Sequence, residues 1–162
     1  MVSSLQGKSV SMQLSELISP DLIFPDVPGS DRPTALRAMA ERLSKMPEIG
    51  SCDNLYRRLW EREELGTTAI GREVAVPHCK VEGLGQVTVA LGISENGVDF
   101  GSEDGLPVRL MFVVVSPEES PAEHLQSLAA ISKWVKADDH VERVLSLSDP
   151  EEIVRLIRNE AG

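Results

Sequence analysis

Arg109-Leu110-Met111-Phe112-Val113-Val114-Val115-Ser116, followed closely by Ser120-Pro121-Ala122-Glu123, decides the fold class. An apolar, β-branched run bounded by Arg109 and Ser116 predicts a strand covered on both faces, and such cover requires helices. The next segment supplies one. Ser120 stands as N-cap, Pro121 as first-turn proline and Glu123 as the third-position glutamate of a capping box, and Leu125, Leu128, Ser132 and Val135 continue as one helical stripe.

Upstream of the run, Val87, Val89, Leu91 and Ile93 alternate with Thr88, Ala90 and Gly92, which is strand periodicity. Asn96-Gly97 and Asp104-Gly105 read as turns, with Val98 to Phe100 a short strand between them. Still earlier, Asp31 and Pro33 open a helix carrying Leu36, Met39, Leu43 and Met46 that Pro47 should end. A second helix from near Asp53 turns Leu55, Leu59 and Trp60 inward and stops at Gly66. Downstream, Asp138 or Asp139 starts a short helix with Val141, Val144 and Leu145, and Asp149-Pro150-Glu151-Glu152 a last one with Ile153, Leu156 and Ile157. The pattern predicts an α/β fold: a mixed β-sheet flanked by helices on both faces, in a single compact domain. Residues 1–11 read as a flexible polar arm and residues 12–162 as the domain.

With 162 residues, the chain buries about two-thirds of its unfolded surface in one core. Its formal charge of −10 repels phosphate backbones and anionic lipid headgroups, so neither nucleic acid nor a membrane surface is an expected partner. The longest apolar run, Leu110 to Val115, is far short of the roughly 20 residues that span a bilayer. Two cysteines, Cys52 and Cys79, make no disulfide framework and no CxxC pattern, which fits a reducing, cytoplasmic setting.

Three histidines carry most of the possible chemistry. His78 closes Val74-Ala75-Val76-Pro77-His78, where proline interrupts a short apolar strand and releases the next side chain at its end. The pentapeptide alone fits a held, reactive histidine and an ordinary surface-loop histidine equally. His124 falls in the first turn of the helix after Ser120, where the helix dipole favours a neutral ring and an arriving anion; packing beside Leu125 is the plainer alternative. His140, after Asp138 and Asp139, reads as solvated. No His-x-x-His or Glu-x-x-His spacing points to a metal, and no GxxxxGK[ST] or GxGxxG loop points to a nucleotide, so no cofactor is expected.

The block Arg62-Glu63-Glu64-Leu65-Gly66-Thr67-Thr68-Ala69-Ile70-Gly71, with Val74-Ala75-Val76-Pro77-His78-Cys79-Lys80 after it, resembles a known family. It is similar to the enzyme IIA domain of the fructose/mannitol type in the phosphoenolpyruvate-dependent phosphotransferase system. The family pattern runs Arg-Glu, Ser/Thr-Thr-Gly-Ile-Gly, an apolar triplet and Pro-His-Gly-Lys. Val98-Asp99-Phe100, the hydrophobic strand and His124-Leu125-x-x-Leu128-Ala129 follow in the family's order, so the resemblance runs from about Leu14 to Ile157.

The resemblance implies that His78 accepts a phosphoryl group from the histidine-containing phosphocarrier HPr or its nitrogen-branch counterpart. His124 then matches the second active-site histidine and Arg62 the active-site arginine. Thr67 and Thr68 are candidates to stabilise the phosphoryl group, Thr68 being the better match. Cys79, Ala69 and Arg72-Glu73 stand where the family commonly has glycine, and Cys79 reads as a tolerated small residue. The chain is most like the nitrogen-regulatory branch, whose phosphorylation state is read by regulatory proteins. The alternatives are a transport subunit that passes phosphate to a separate IIB protein, as expected for a chain stopping at Gly162, and a binding module that has lost transfer.

Overall fold

Strand β6 (Val108–Pro117) is buried along its length except at Arg109, and its side chains alternate between two separate cores. Met111, Val113 and Val115 face one core, and Leu110, Phe112 and Val114 the other. The computed structural model describes Met12–Ala161; the expected arm, residues 1–11, and Gly162 lie outside the described residues.

Antiparallel to β6 runs β5 (Thr88–Val98), and β1 (Ile23–Phe24) adds parallel to β5. On the other side of β6 lie β3 (Val74–Ala75) and β4 (His78–Val81), both parallel to it, and β2 (Ala69–Gly71) pairs antiparallel with β3. The sheet is therefore mixed. Helices α1 (Arg32–Leu43) and α2 (Cys52–Glu64) cover the face carrying Met111, while α3 (Pro121–Lys136), α4 (His140–Leu145) and α5 (Pro150–Ala161) belong to the opposite layer. Both faces are thus helix-covered, as the run in β6 requires.

Local chemistry explains where the helices start. Asp31 accepts the Thr34 N–H at 2.8 Å and Ser51 accepts the Asn54 N–H at 3.1 Å, so the second helix, capped by Ser51, starts at Cys52, near Asp53 as expected. Leu36, Met39 and Leu43 are fully buried, but α1 ends at Leu43, short of Pro47, which opens a separate 3-10 turn.

Several expectations are corrected. Asn96-Gly97 is not a hairpin turn but an irregularity inside one long strand: pairing with β6 lapses after Ile93 and resumes at Val98, and Gly97, at φ +89°, donates its N–H to Ser94 Oγ. Val98 therefore ends β5 and starts no strand of its own. Ser120 makes no side-chain cap; only its carbonyl accepts the His124 N–H. The α3 stripe is partly rotated from the expected one: Val135 is buried and Leu128 packs against the core, but Leu125 is 65% exposed while His124, Ser127, Ile131 and Trp134 point inward. His140 is half-buried rather than solvated, its Nδ1 2.9 Å from the Trp134 carbonyl and its ring against that indole.

The β2–β3 turn shows how the glycine departures are accommodated. Arg72 and Glu73 both take positive φ, which a two-residue hairpin demands. Arg72 is tethered by its N–H to Asp104 and by its guanidinium to the Val135 and Lys136 carbonyls at the end of α3. The Glu73 carbonyl accepts from the Arg109 and Leu110 N–H groups.

Gly92 sits where α1 crosses β5. A Cβ there would lie 2.6 Å from Met39 Sδ and 2.9 Å from Val27 Cγ2. Gly92→Ala is accordingly expected to lower the unfolding free energy by about 1–3 kcal/mol through overpacking, read as a lower urea midpoint with an unchanged slope; an unchanged midpoint would contradict the close approach.

Candidate active site

His78 opens β4 rather than hanging beyond a strand end. Val74 and Ala75 pair with Leu110 and Met111, His78 and Cys79 with Val114 and Val115, so β6 reads the same register across the interruption at Val76-Pro77. Pro77 has no N–H to give to a ladder, but its carbonyl still accepts from Val114. Strand alternation then sends His78 to the α3 side with Val74 and Val76, and Cys79 to the α1–α2 side with Ala75 and Val81. Burial pushes the Cys79 thiol up to about 12, against the pull of the Arg58 charge, so the thiol stays protonated and inert.

Both nitrogens of His78 have partners. Nδ1 lies 2.8 Å from the Val76 carbonyl oxygen, and Nε2 lies 3.2 Å from Arg62 Nε. A carbonyl can only accept and a guanidinium can only donate. The ring therefore carries its proton on Nδ1 and a lone pair on Nε2. Burial pulls His78 below the ordinary imidazole range and the Arg62 charge adds to that, while the Val76 carbonyl and Glu63 oppose it.

His124 comes from the first turn of α3, and its ring centroid is 5.4 Å from that of His78. It is only 6% exposed, and its Nδ1 lies 2.6 Å from Ser116 Oγ. Burial above all, then repulsion from His78 when that ring is protonated and from the Lys80 charge, lowers it to about 4, so the ring is neutral at pH 7.

Arg62 is placed by the last turn of α2, where its Nη1 donates to the Gly66 carbonyl at 2.9 Å. Thr67 and Thr68 line the same cleft of about 230 Å³ with Arg62, His78, Leu128 and Ser132. Without a bound anion, their hydroxyls are engaged within the protein: Thr67 Oγ1 donates to the Phe100 carbonyl and Thr68 Oγ1 to Glu63 Oε1.

Sequence reasoning left Glu63 without a role. It is 3% exposed and accepts from the Thr68 N–H at 2.8 Å, the Thr68 hydroxyl at 2.7 Å and Arg32 Nη1 at 3.2 Å. One carboxylate thereby ties the end of α2 to the start of α1 and to the turn into β2. Its position among Glu61, Arg62 and Glu64 carried no signal that it alone is buried. Arg58, one turn before Arg62, donates to the Lys80 carbonyl at 3.1 Å and fastens α2 to β4.

His78 and the Arg62 cation in this cleft, with the His124 ring beside His78, can take up and hold an anionic group. A larger groove of about 540 Å³ along Leu17, Leu22 and Val87 has, among the described residues, Glu16 and Glu123 as its ionisable lining groups, which disfavour a phosphate there. Among the described residues no group of His, Cys, Asp and Glu could hold a metal ion, and no helix is long and apolar enough to cross a membrane.

The sequence matches the family described as phosphoenolpyruvate-dependent sugar phosphotransferase system, EIIA 2, over residues 16–160. It is 30% identical to the nitrogen regulatory protein of Bradyrhizobium diazoefficiens over 90% of this chain and 95% of that one. Among solved structures, nitrogen regulatory protein IIA-Ntr from Neisseria meningitidis superimposes with a TM-score of 0.82 at 26% identity, covering 89% of this chain and 98% of that one. The mannitol enzyme IIA of Escherichia coli, solved in complex with phosphorylated enzyme IIB, shares the fold with a TM-score of 0.73 at 22% identity, covering 88% and 97%.

The state of His124 can be read in stability. Its folded value near 4 lies below the ordinary 6.5, so the unfolded chain takes up the proton first. The ring's contribution to stability is complete above about pH 6.5 and declines as pH falls from there toward 4. Between about pH 7.5 and 5 the protein is expected to lose on the order of 2 kcal/mol more unfolding free energy than its His124→Gln variant. Equal losses in parallel urea titrations would contradict a buried neutral ring.

Proposed function

Because the chain belongs to the EIIA 2 family of the phosphoenolpyruvate-dependent sugar phosphotransferase system, we propose that it is a phosphohistidine carrier, loaded on Nε2 of His78 by HPr or its nitrogen-branch counterpart. The observation that carries this reading is the pair of contacts on His78: an acceptor on Nδ1 and a donor on Nε2. They leave one nucleophilic lone pair, directed at a cation.

In the transfer, the Nε2 lone pair forms the new P–N bond while the bond to the donor's histidine nitrogen breaks, and that electron pair returns to the donor ring. The transition state is loose, with charge spread over the phosphoryl oxygens, so positioning and countercharge do most of the work. As His78 gains positive character, its Nδ1–H bond to Val76 strengthens. Arg62 Nε must leave Nε2 before attack, and the arriving phosphoryl oxygens replace that nitrogen as its acceptor; the Gly66 carbonyl keeps the guanidinium close. His124, neutral and 5.4 Å away ring to ring, donates to a phosphoryl oxygen. Thr67 and Thr68 act by holding the turn that carries the cleft wall.

The regulatory branch is the favoured member type, supported by similarity to nitrogen regulatory proteins along nearly their full length. Delivery to a separate IIB protein is the second reading, supported by the shared fold with a IIA solved against its IIB.

His78→Ala is expected to abolish acid-labile label from phosphorylated HPr-type carrier, and His124→Ala to slow labelling by about 10²-fold or more while leaving His78 phosphorylatable. Undiminished label on the His78 variant would overturn the assignment, and no label on the native chain would leave a binding module. Rapid discharge onto a fructose- or mannitol-type IIB would favour transport over regulation.

A further inference from the structure

Ser116 is the next-to-last residue of β6, in register with Lys80 of β4. Alternation from Phe112 and Val114 sends its side chain to the α3 face, where it is fully buried and meets Nδ1 of His124 at 2.6 Å. A single hydrogen bridges this oxygen and nitrogen, and two arrangements are possible. If the ring donated, the serine's own hydrogen would need another acceptor, and among the described residues this hydroxyl oxygen has no other hydrogen-bond partner. A buried O–H would then be left unsatisfied. If the serine donates, its hydrogen and the Nδ1 lone pair are both satisfied, and the neutral ring carries its proton on the other nitrogen.

We infer that Ser116 is a positioning residue, whose buried hydroxyl donates to His124 Nδ1 and holds that ring in the Nε2–H form needed to donate to the phosphoryl group on His78. This rests on the carrier reading for its purpose, but not for its geometry. The two rings are then held in opposite tautomers: the Val76 carbonyl keeps the proton of His78 on Nδ1, freeing Nε2 to attack, and Ser116 keeps the proton of His124 on Nε2, freeing it to donate. The low proton affinity of His124 fits, because a ring protonated on both nitrogens could not accept from the serine. Ser116 does not touch the transferred group; it acts through His124.

Two measurements on the full chain test this. In nitrogen-15-labelled protein at neutral pH, the two-bond couplings from the ring C–H protons identify which nitrogen of each histidine is protonated, and His124 is expected to carry its proton on Nε2. Ser116→Ala is expected to leave the His124 signals averaged between tautomers and to slow phosphoryl transfer about tenfold without weakening carrier binding. Ser116→Thr, which keeps the hydroxyl, is expected to restore both readouts. A proton on Nδ1 of His124 in the native chain overturns the inference, as does a Ser116→Ala protein with native tautomer signals and native transfer rate. Label reaching His78 in a chain whose His124 is protonated on Nδ1 sinks this inference alone. An Nε2–H tautomer in a chain that takes no label sinks the carrier reading alone.

Discussion

Burial of β6 on both faces is the constraint on which the rest of the molecule depends. From Leu110 to Val115 its odd-numbered side chains pack against α1 and α2 and its even-numbered ones against the opposite layer. Because β4 runs parallel to β6 in fixed register, the same alternation decides that His78 faces α3 and Cys79 faces away. A slip of one residue would exchange them, turning an inert thiol into the cleft and a histidine into the α1–α2 core. Continuous register across Val76-Pro77 is therefore a chemical matter as well as a packing one.

Around that frame, each polar group of the site is held by backbone or by a buried neighbour. His78 leans on the carbonyl two residues before it, Arg62 on the Gly66 carbonyl, His124 on Ser116 and the Thr67–Thr68 turn on Glu63. Such anchoring reduces the reorganisation needed when charge develops on a transferring group, which is where fixed dipoles are most effective. Arg62 is the exception. In the proposed transfer its contact with His78 Nε2 is the one that must break, and its long side chain from a helix end can shift without moving the backbone.

How far the residues themselves disclosed this depends on the range of the interaction. The strand in β6, the alternation from Val87 to Ile93 and the helix opened by Asp31 are local patterns, and the folded chain keeps them. Asn96-Gly97 misled because the dipeptide has the same local preference in a turn and in a strand irregularity; pairing with β6 decides between them. The α3 stripe was partly misphased because Leu125 is apolar enough to mark an inward face, whereas the layer below has room for His124 and Ser127 instead. The capping box at Ser120 had its residues but not its side-chain bond. His78, His124 and Arg62 were reached through resemblance to a family, and spacing alone brought none of them together.

By itself the sequence determined the α/β class, the doubly covered central strand, the acidic balance and the residue types available for phosphoryl chemistry, since these follow from composition and short-range periodicity. Only the tertiary structure decided that Arg62, His78 and His124 meet, that Glu63 is buried among equally acidic neighbours, and which nitrogen of His78 keeps its lone pair. The physical reason is that a proton's position on imidazole is set by the donor or acceptor opposite it, and those partners come from a carbonyl, a helix end and a neighbouring strand that only folding brings within hydrogen-bond distance.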